Sequence, residues 1–251
     1  NKPDIYIISF QEIVELNASY ILFKSNSNNV ESWKSVVHKT LNDISCYDCE
    51  YSSENEYIII KTLDLVGILM FVFVKRKYFS ILKNYDHLII KKGASGLLGN
   101  KGSVLFRFDL FNKSFAFSSG HYAAGQNELK NRVSELYENL HTNINFDFNK
   151  TNFKGKTIDH DFYFILGDLN FRIDMQNEQV RSHIKKNELE RLATYDQLNK
   201  LKLEDKSFYC LDEGPLIFPP TYKYNIGTSE YETKKNRIPS WCDRILFKRS
   251  E

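Results

Sequence analysis

An acid and an amide two residues apart close the run Phe162-Tyr163-Phe164-Ile165-Leu166-Gly167-Asp168-Leu169-Asn170-Phe171-Arg172. Side chains alternate along a strand with period two, so Asp168 and Asn170 at its end point nearly the same way. Such a pair holds a water, a metal ion or a phosphoryl oxygen; alternatively, Asp168 hydrogen-bonds its own backbone in a strand-end turn. The same logic recurs at three other strand ends. Glu12 follows Ile7-Ile8-Ser9-Phe10-Gln11, where it caps a helix starting there or offers a hard oxygen to Mg²⁺. His121 follows Phe115–Gly120 among small neighbours, Gly120, Ala123, Ala124 and Gly125, that leave room for a ligand. Asp243 lies within Trp241-Cys242-Asp243-Arg244-Ile245-Leu246-Phe247, and a carboxylate among such groups needs a partner: Arg244, a histidine or a metal. Together these side chains form the set that metal-assisted phosphoester hydrolysis requires: a cation for the phosphate charge, acids to orient water, and donors for the transition state.

The elements that must position them are strands joined both directly and through helices. Strands are predicted at Ile5–Phe10, Tyr57–Thr62, Leu65–Val74, Leu88–Ile90, Val104–Leu110, Ser114–Ser119, Phe162–Leu166 and Trp241–Phe247. Leu129, Val133, Leu136, Tyr137 and Leu140 recur at three- and four-residue spacing and predict a helix over Asn127–His141. Further helices are predicted at Val30–Leu41, Asn177–Lys186 and Glu188–Asn199, and a hairpin turn at Phe111-Asn112-Lys113. Phe23–Asn29 and Thr142–Lys156 are polar and read as exposed loops. This mixture favours mixed sheets covered by helices over a purely parallel doubly wound fold.

Composition narrows the class. The 251 residues are 42% hydrophobic and 26% charged, ordinary for a folded domain, and no linker or repeat divides them. A formal net charge of +2 is too small for sequence-independent phosphate binding, so nucleic acid is not expected as a partner. The longest apolar run, Leu65–Val74, is about half of what a membrane-spanning helix needs. Four cysteines, only Cys46 and Cys49 close together, make no disulfide framework and fit a reducing, cytoplasmic setting. The chain begins with Asn directly before a strand and reads as a fragment of a longer polypeptide.

Six strings, in order, carry a resemblance over nearly the whole chain: Ser-Phe-Gln-Glu-Ile-Val (9–14), Gly-Leu-Leu-Gly-Asn-Lys-Gly (96–102), His-Tyr-Ala-Ala-Gly (121–125), Gly-Asp-Leu-Asn-Phe-Arg (167–172), Pro-Pro-Thr-Tyr-Lys-Tyr (219–224) and Arg-Ile-Pro-Ser-Trp-Cys-Asp-Arg-Ile-Leu (237–246). The sequence resembles the catalytic domain of the inositol polyphosphate 5-phosphatases. The resemblance implies an α/β (α+β) fold, a four-layer deoxyribonuclease I-like sandwich of two mixed β-sheets flanked by helices, and Mg²⁺-dependent removal of a 5-phosphate from an inositol phosphate or phosphoinositide. By the same resemblance Glu12 is the metal ligand and His121 hydrogen-bonds the scissile phosphate. Asp168 and Asn170 orient water and phosphate, and Asp243 supports the catalytic histidine or water. Asn100 and Lys101 belong to a glycine-rich loop near the substrate, and Tyr222, Lys223 and Lys235 match a 4-phosphate-recognition segment. Lysines beside an aromatic hydroxyl suit a second, non-reacting phosphate. Leu97 and Leu98, beside Lys91, Lys92 and Lys101, suit shallow contact with a membrane surface or ordinary hairpin packing.

Departures from the pattern are Gly125 for a second histidine, Tyr122 for leucine and Phe171 for tyrosine, and a segment Tyr231–Arg237 shorter by one residue. The family's Trp-Asn-Val-Asn strand does not precede Asn1 and its Ser-Asp-His motif does not precede Glu251, so the expectation is a catalytically incomplete piece. Two other outcomes belong to the same reading: an endonuclease or sphingomyelinase of the same fold, and a phosphoinositide-binding module without catalysis.

Overall fold

The computed structural model describes residues 2–14, 27–43, 53–92, 101–148 and 151–249. Two sheets face each other. In the smaller, β1 (Ile5–Phe10), β3 (Ile68–Lys75) and β2 (Tyr57–Leu65) lie in that order and are antiparallel. The larger holds six strands in the order β10 (Leu211–Glu213), β11 (Asp243–Lys248), β9 (Phe162–Asp168), β6 (Lys113–His121), β5 (Lys101–Leu110) and β4 (Lys83–Lys92). Its β6–β9 pair is parallel and its other pairs are antiparallel, so among the described residues the larger sheet is the mixed one.

Strand β3 shows why the layers form. Its Ile68–Val74 segment is wholly buried and reads as a continuous apolar run, because both faces are covered. Ile68, Met70 and Val72 pack with Val104, Phe106, Phe108 and Phe117 between the sheets. Leu69, Phe71 and Phe73 turn outward onto Val30, Val37 and Leu41 of helix α1 (Ser27–Asn42). Each such burial contributes about 1.5–3 kcal/mol. On the far side of the larger sheet, Leu105, Ala116, Tyr163 and Ile165 pack against Leu136 and Leu140 of α2 (Leu129–His141) and Leu198 of α5 (Gln197–Glu204). The stacking of helix, sheet, sheet and helices bears out the expected four layers.

Several local expectations are corrected. Thr142–Lys156 is not a loop; β7 (Asn143–Phe148) and β8 (Thr151–Lys156) form an antiparallel hairpin. The apolar run at 65–74 belongs to two strands, divided by a turn at 66–67 where Gly67 takes φ 85°. The stretch Glu188–Asn199 is not one helix. After α3 (Asn177–Lys185) come α4 (Leu189–Ala193) and α5, parted because Asp196 leaves helical geometry to cap α5 through Asn199 N at 3.0 Å and to meet Arg244 at 2.9 Å. The hairpin at 111–113 is as expected: Phe111 and Asn112 take φ 51° and 60° between paired Leu110 and Lys113, the left-handed pair of a tight primed turn. Among the described residues, no helix is long and apolar enough to cross a membrane.

Candidate active site

One end of the larger sheet gathers the chemistry. Asp168 ends β9 opposite His121 at the end of parallel β6 and opposite Asp243 at the start of antiparallel β11. His121 in turn pairs with Gly102, next to Lys101 at the start of β5. Neighbouring strands lie about 4.8 Å apart, so register alone brings these residues to a common rim. The rim is closed by Tyr122 N donating to Asp168 O at 3.0 Å and Leu169 N donating to Cys242 O at 2.9 Å. Gly167 makes the close approach feasible: it takes φ 124°, and a Cβ there would sit 2.3 Å from the Gly120 carbonyl oxygen.

The smaller sheet adds Glu12. Ser9 on β1 hydrogen-bonds Ser119 on β6, and Gln11 Nε2 donates to both hydroxyls, at 2.8 and 3.3 Å. Glu12 follows in a bend at φ 57°, exposed, and the next described helix begins only at Ser27, so no described helix starts there for it to cap.

Charge is concentrated at the rim. His121 is buried; its Nε2 meets the Lys101 ammonium and lies 3.4 Å from Asp168 Oδ2, while its buried Nδ1 has no partner among the described residues. Burial lowers the Lys101 pKa, opposed by Asp168, Glu12 and Glu135. Asp243 is open to solvent on one side, yet the protein around it, with the Asp168 and then the Glu12 charge, pushes its carboxyl up to about 6. The Thr221 hydroxyl, 3.3 Å away, and His121 act in the opposite sense. Three carboxylates that disfavour one another's charge suit a hard divalent cation. Among the described residues no three His, Cys, Asp or Glu side chains already stand close enough together to form a cage for one.

Asn170 is buried and left-handed, at φ 55°. Its Nδ2 donates to Tyr122 O at 3.1 Å and its Oδ1 accepts from Arg172, leaving one N–H for a ligand. Asp168 Oδ1 accepts from Asn170 N at 3.1 Å, so the turn contact foreseen from sequence forms while Oδ2 stays at the rim.

Two expectations change. The small residues around His121 do not leave a void: Gly120 is small because the Tyr122 ring lies over it, 2.5 Å from where a Cβ would be. Nor does Arg244 partner Asp243. It points to the opposite face and is buried on Asp196 and Glu213, since adjacent strand residues face opposite ways.

The segment after residue 220 flanks the rim through Thr221. Tyr222 bridges to Ser240, and the Arg172 and Arg237 guanidinium carbons lie 4.3 and 5.7 Å from its ring centre. Lys223 is exposed, with its carbonyl held by Glu232 N at 2.8 Å; Lys235 is exposed, its N–H donating to Glu232 Oε1 at 2.7 Å. Asn100, Leu97, Leu98, Cys46 and Cys49 lie outside the described residues. Thr221 and Arg172 carry no role when the sequence is read alone: Arg172 lies beyond the end of β9, past left-handed Asn170, where strand alternation no longer tells which way a side chain points.

Residues 1–251 match the model of the Endonuclease/Exonuclease/phosphatase family 2. The chain belongs to that family. Within this Endonuclease/Exonuclease/phosphatase family 2, it is 36% identical over 247 residues to Synaptojanin of Caenorhabditis elegans, covering 98% of this chain and 20% of the relative. It is 35% identical to Inositol-1,4,5-trisphosphate 5-phosphatase 1 of Schizosaccharomyces pombe, covering 99% of this chain and 22% of that one. The chain thus spans about a fifth of the length of these curated relatives. Among solved structures, the inositol polyphosphate 5-phosphatase domain of SPsynaptojanin, in complex with inositol (1,4)-bisphosphate and calcium ion, superimposes with TM-score 0.82 and 34% identity, covering 99% of this chain and 68% of that one. A Cimex nitrophorin in its ferrous NO complex shares the fold at TM-score 0.67 and 20% identity, covering 100% of this chain and 77% of its own.

Proposed function

We propose that this domain is a Mg²⁺-dependent phosphoric monoester hydrolase that removes the 5-phosphate of an inositol phosphate or phosphoinositide by direct attack of water. The observation that carries it is the line His121–Asp168–Asp243 across three adjacent strand ends, with Lys101 at its side and the Tyr222-Lys223 segment joined to it through Thr221. The names of the relatives, and the inositol bisphosphate bound by the similar domain, support the substrate class.

Glu12, with a carboxylate of the rim, would hold the ion; when bound, it neutralises phosphate charge and steadies the leaving oxygen. Asp168, fixed by the Asn170 N–H, orients the attacking water, and the Asp168–Asp243 carboxyl pair takes up the proton that water releases. A carboxyl near 6 is a stronger base than an ordinary aspartate and is still mostly ionised at neutral pH. The free Asn170 N–H and the Lys101–His121 pair donate to phosphate oxygens as charge builds on them. Tyr222, Lys223 and Lys235 receive the 4-phosphate, whose binding energy positions the scissile group. Such a domain works in the cytoplasm, on soluble substrate or at the cytosolic face of a membrane.

Phosphate release from inositol 1,4,5-trisphosphate, and from vesicles carrying phosphatidylinositol 4,5-bisphosphate, tests this with the full natural polypeptide. Release should stop with a chelator and return with Mg²⁺. No Mg²⁺-dependent release from either substrate overturns the reading.

A further inference from the structure

Arg172 touches both the reaction centre and the flanking segment. It is 6% exposed; its Nε donates to Asn170 O at 3.0 Å and its terminal nitrogen donates to Asn170 Oδ1. The carbon of the same guanidinium lies over the Tyr222 ring, 4.3 Å from its centre. Tyr222 is tied to Ser240 by a pair of backbone hydrogen bonds at 3.1 and 3.0 Å, and Lys223 follows it directly. One planar group thus joins Asn170, next to the rim through the bond from its N–H to Asp168 Oδ1, to the segment proposed to meet a second phosphate.

We infer that Arg172 is a positioning residue that couples recognition of the non-reacting phosphate to the geometry of the reacting one. This rests on the hydrolase reading above. A guanidinium suits the task because its edge donates in a fixed fork while its face stacks on an aromatic ring; an ammonium does one or the other. When the Tyr222-Lys223 segment engages a phosphate, its position is passed through the stacked plane to the Asn170 amide. Both ends of that amide are already held, Oδ1 by Arg172 and Nδ2 by Tyr122 O, so it moves with the guanidinium or not at all. Misplacement of a reacting group by about 1 Å costs about a hundredfold in rate, so a small slackening of this link is visible in kcat.

The test compares Arg172→Lys and Arg172→Met with the unmodified protein on two soluble substrates, inositol 1,4,5-trisphosphate and inositol 1,5-bisphosphate, which lacks the 4-phosphate. The unmodified protein should prefer the trisphosphate. Both variants should lose about tenfold or more in kcat on the trisphosphate and much less on the bisphosphate, so that the preference collapses. Arg172→Lys keeps the charge and should not restore it. Adding Tyr222→Leu to Arg172→Met should lower trisphosphate turnover little further, as expected for residues acting in one link. Equal fold-losses on both substrates, with the preference intact, overturn the inference and leave the hydrolase reading standing; so do additive losses in the double variant. No release from either substrate by the unmodified protein overturns the hydrolase reading and this inference with it.

Discussion

His121, Asp168 and Asp243 are held by a hydrogen-bond ladder running through three strands, whereas Tyr222, Lys223 and Lys235 ride on a segment paired through isolated bridges, Tyr222 to Ser240 and Tyr224 to Tyr231. In the first region register sets position, and the backbone leaves little freedom. In the second, aromatic rings take over that task. Tyr224 and Tyr231 stack with centres 4.6 Å apart and both hydroxyls reach Pro220 O, at 3.2 and 2.6 Å. Groups that perform bond-breaking tolerate little displacement, and the residues proposed for that role stand at paired strand ends. The residues proposed to select among substrates stand on a loop, where residues change without disturbing the sheet.

The sharpest way to break this contrast is to remove a rim carboxylate. Asp168→Ala should lower phosphate release by about a thousandfold while leaving the thermal midpoint nearly unchanged, as read by phosphate assay and calorimetry. A large fall in stability with little loss of turnover would make Asp168 a structural residue.

Gly167→Ala tests the register itself. A methyl group 2.3 Å from the Gly120 carbonyl, at φ 124°, forces the parallel β6–β9 pair apart. A loss of about 2–3 kcal/mol is expected, visible as a thermal midpoint lowered by several degrees, together with lost activity. An unchanged midpoint would mean that the strand ends are not held as tightly as the ladder implies.

On the loop side, Lys223→Ala should raise KM for a 4,5-phosphorylated substrate about tenfold, a loss of about 1.4 kcal/mol, with stability untouched. Steady-state kinetics on substrates with and without the 4-phosphate would show it; equal effects on both remove Lys223 from 4-phosphate recognition.

The smallest effect concerns the metal-free protein. The Asp243 carboxyl is raised in the folded state, so the folded form binds more protons than the unfolded form between about pH 4 and 6. Stability from this group therefore falls as pH rises through that window. Asp243→Asn should be more stable than the unmodified protein at pH 8, by about 1 kcal/mol or less given its partial exposure, and the difference should vanish below about pH 4. Thermal melts at the two pH values in a chelator check it.

Most of the elements were legible from residues alone. Strand β1 falls on the predicted bounds, and the α2 stripe and the turn at 111–112 carry patterns with a direct physical cause. The errors lie where a residue answers to a distant partner. Asp196 interrupts a helical pattern because it caps α5 and neutralises buried Arg244, and nothing within the stretch 188–199 announces that. The hairpin at 143–156 reads as a loop only when its many polar residues are weighed by composition: Asn143–Phe148 alternates polar and apolar residues as a strand does, while Thr151–Lys156 does not.

The candidate site divides in the same way. Strand ends marked by acid, amide and histidine were evident because period-two alternation and the sudden stop of an apolar run are local properties of the chain. That these ends form one rim was decided by the strand order β11–β9–β6–β5, by the shared register position of Asp243, Asp168 and His121, and by the serine and glutamine contacts that bring β1 beside β6. The Asp243 carboxyl rises, and Arg172 bridges Asn170 to Tyr222, for the same reason. Charge and stacking act through space over a few ångströms, whereas Asp243 stands 75 positions from Asp168, and Tyr222 stands 50 from Arg172, in the chain.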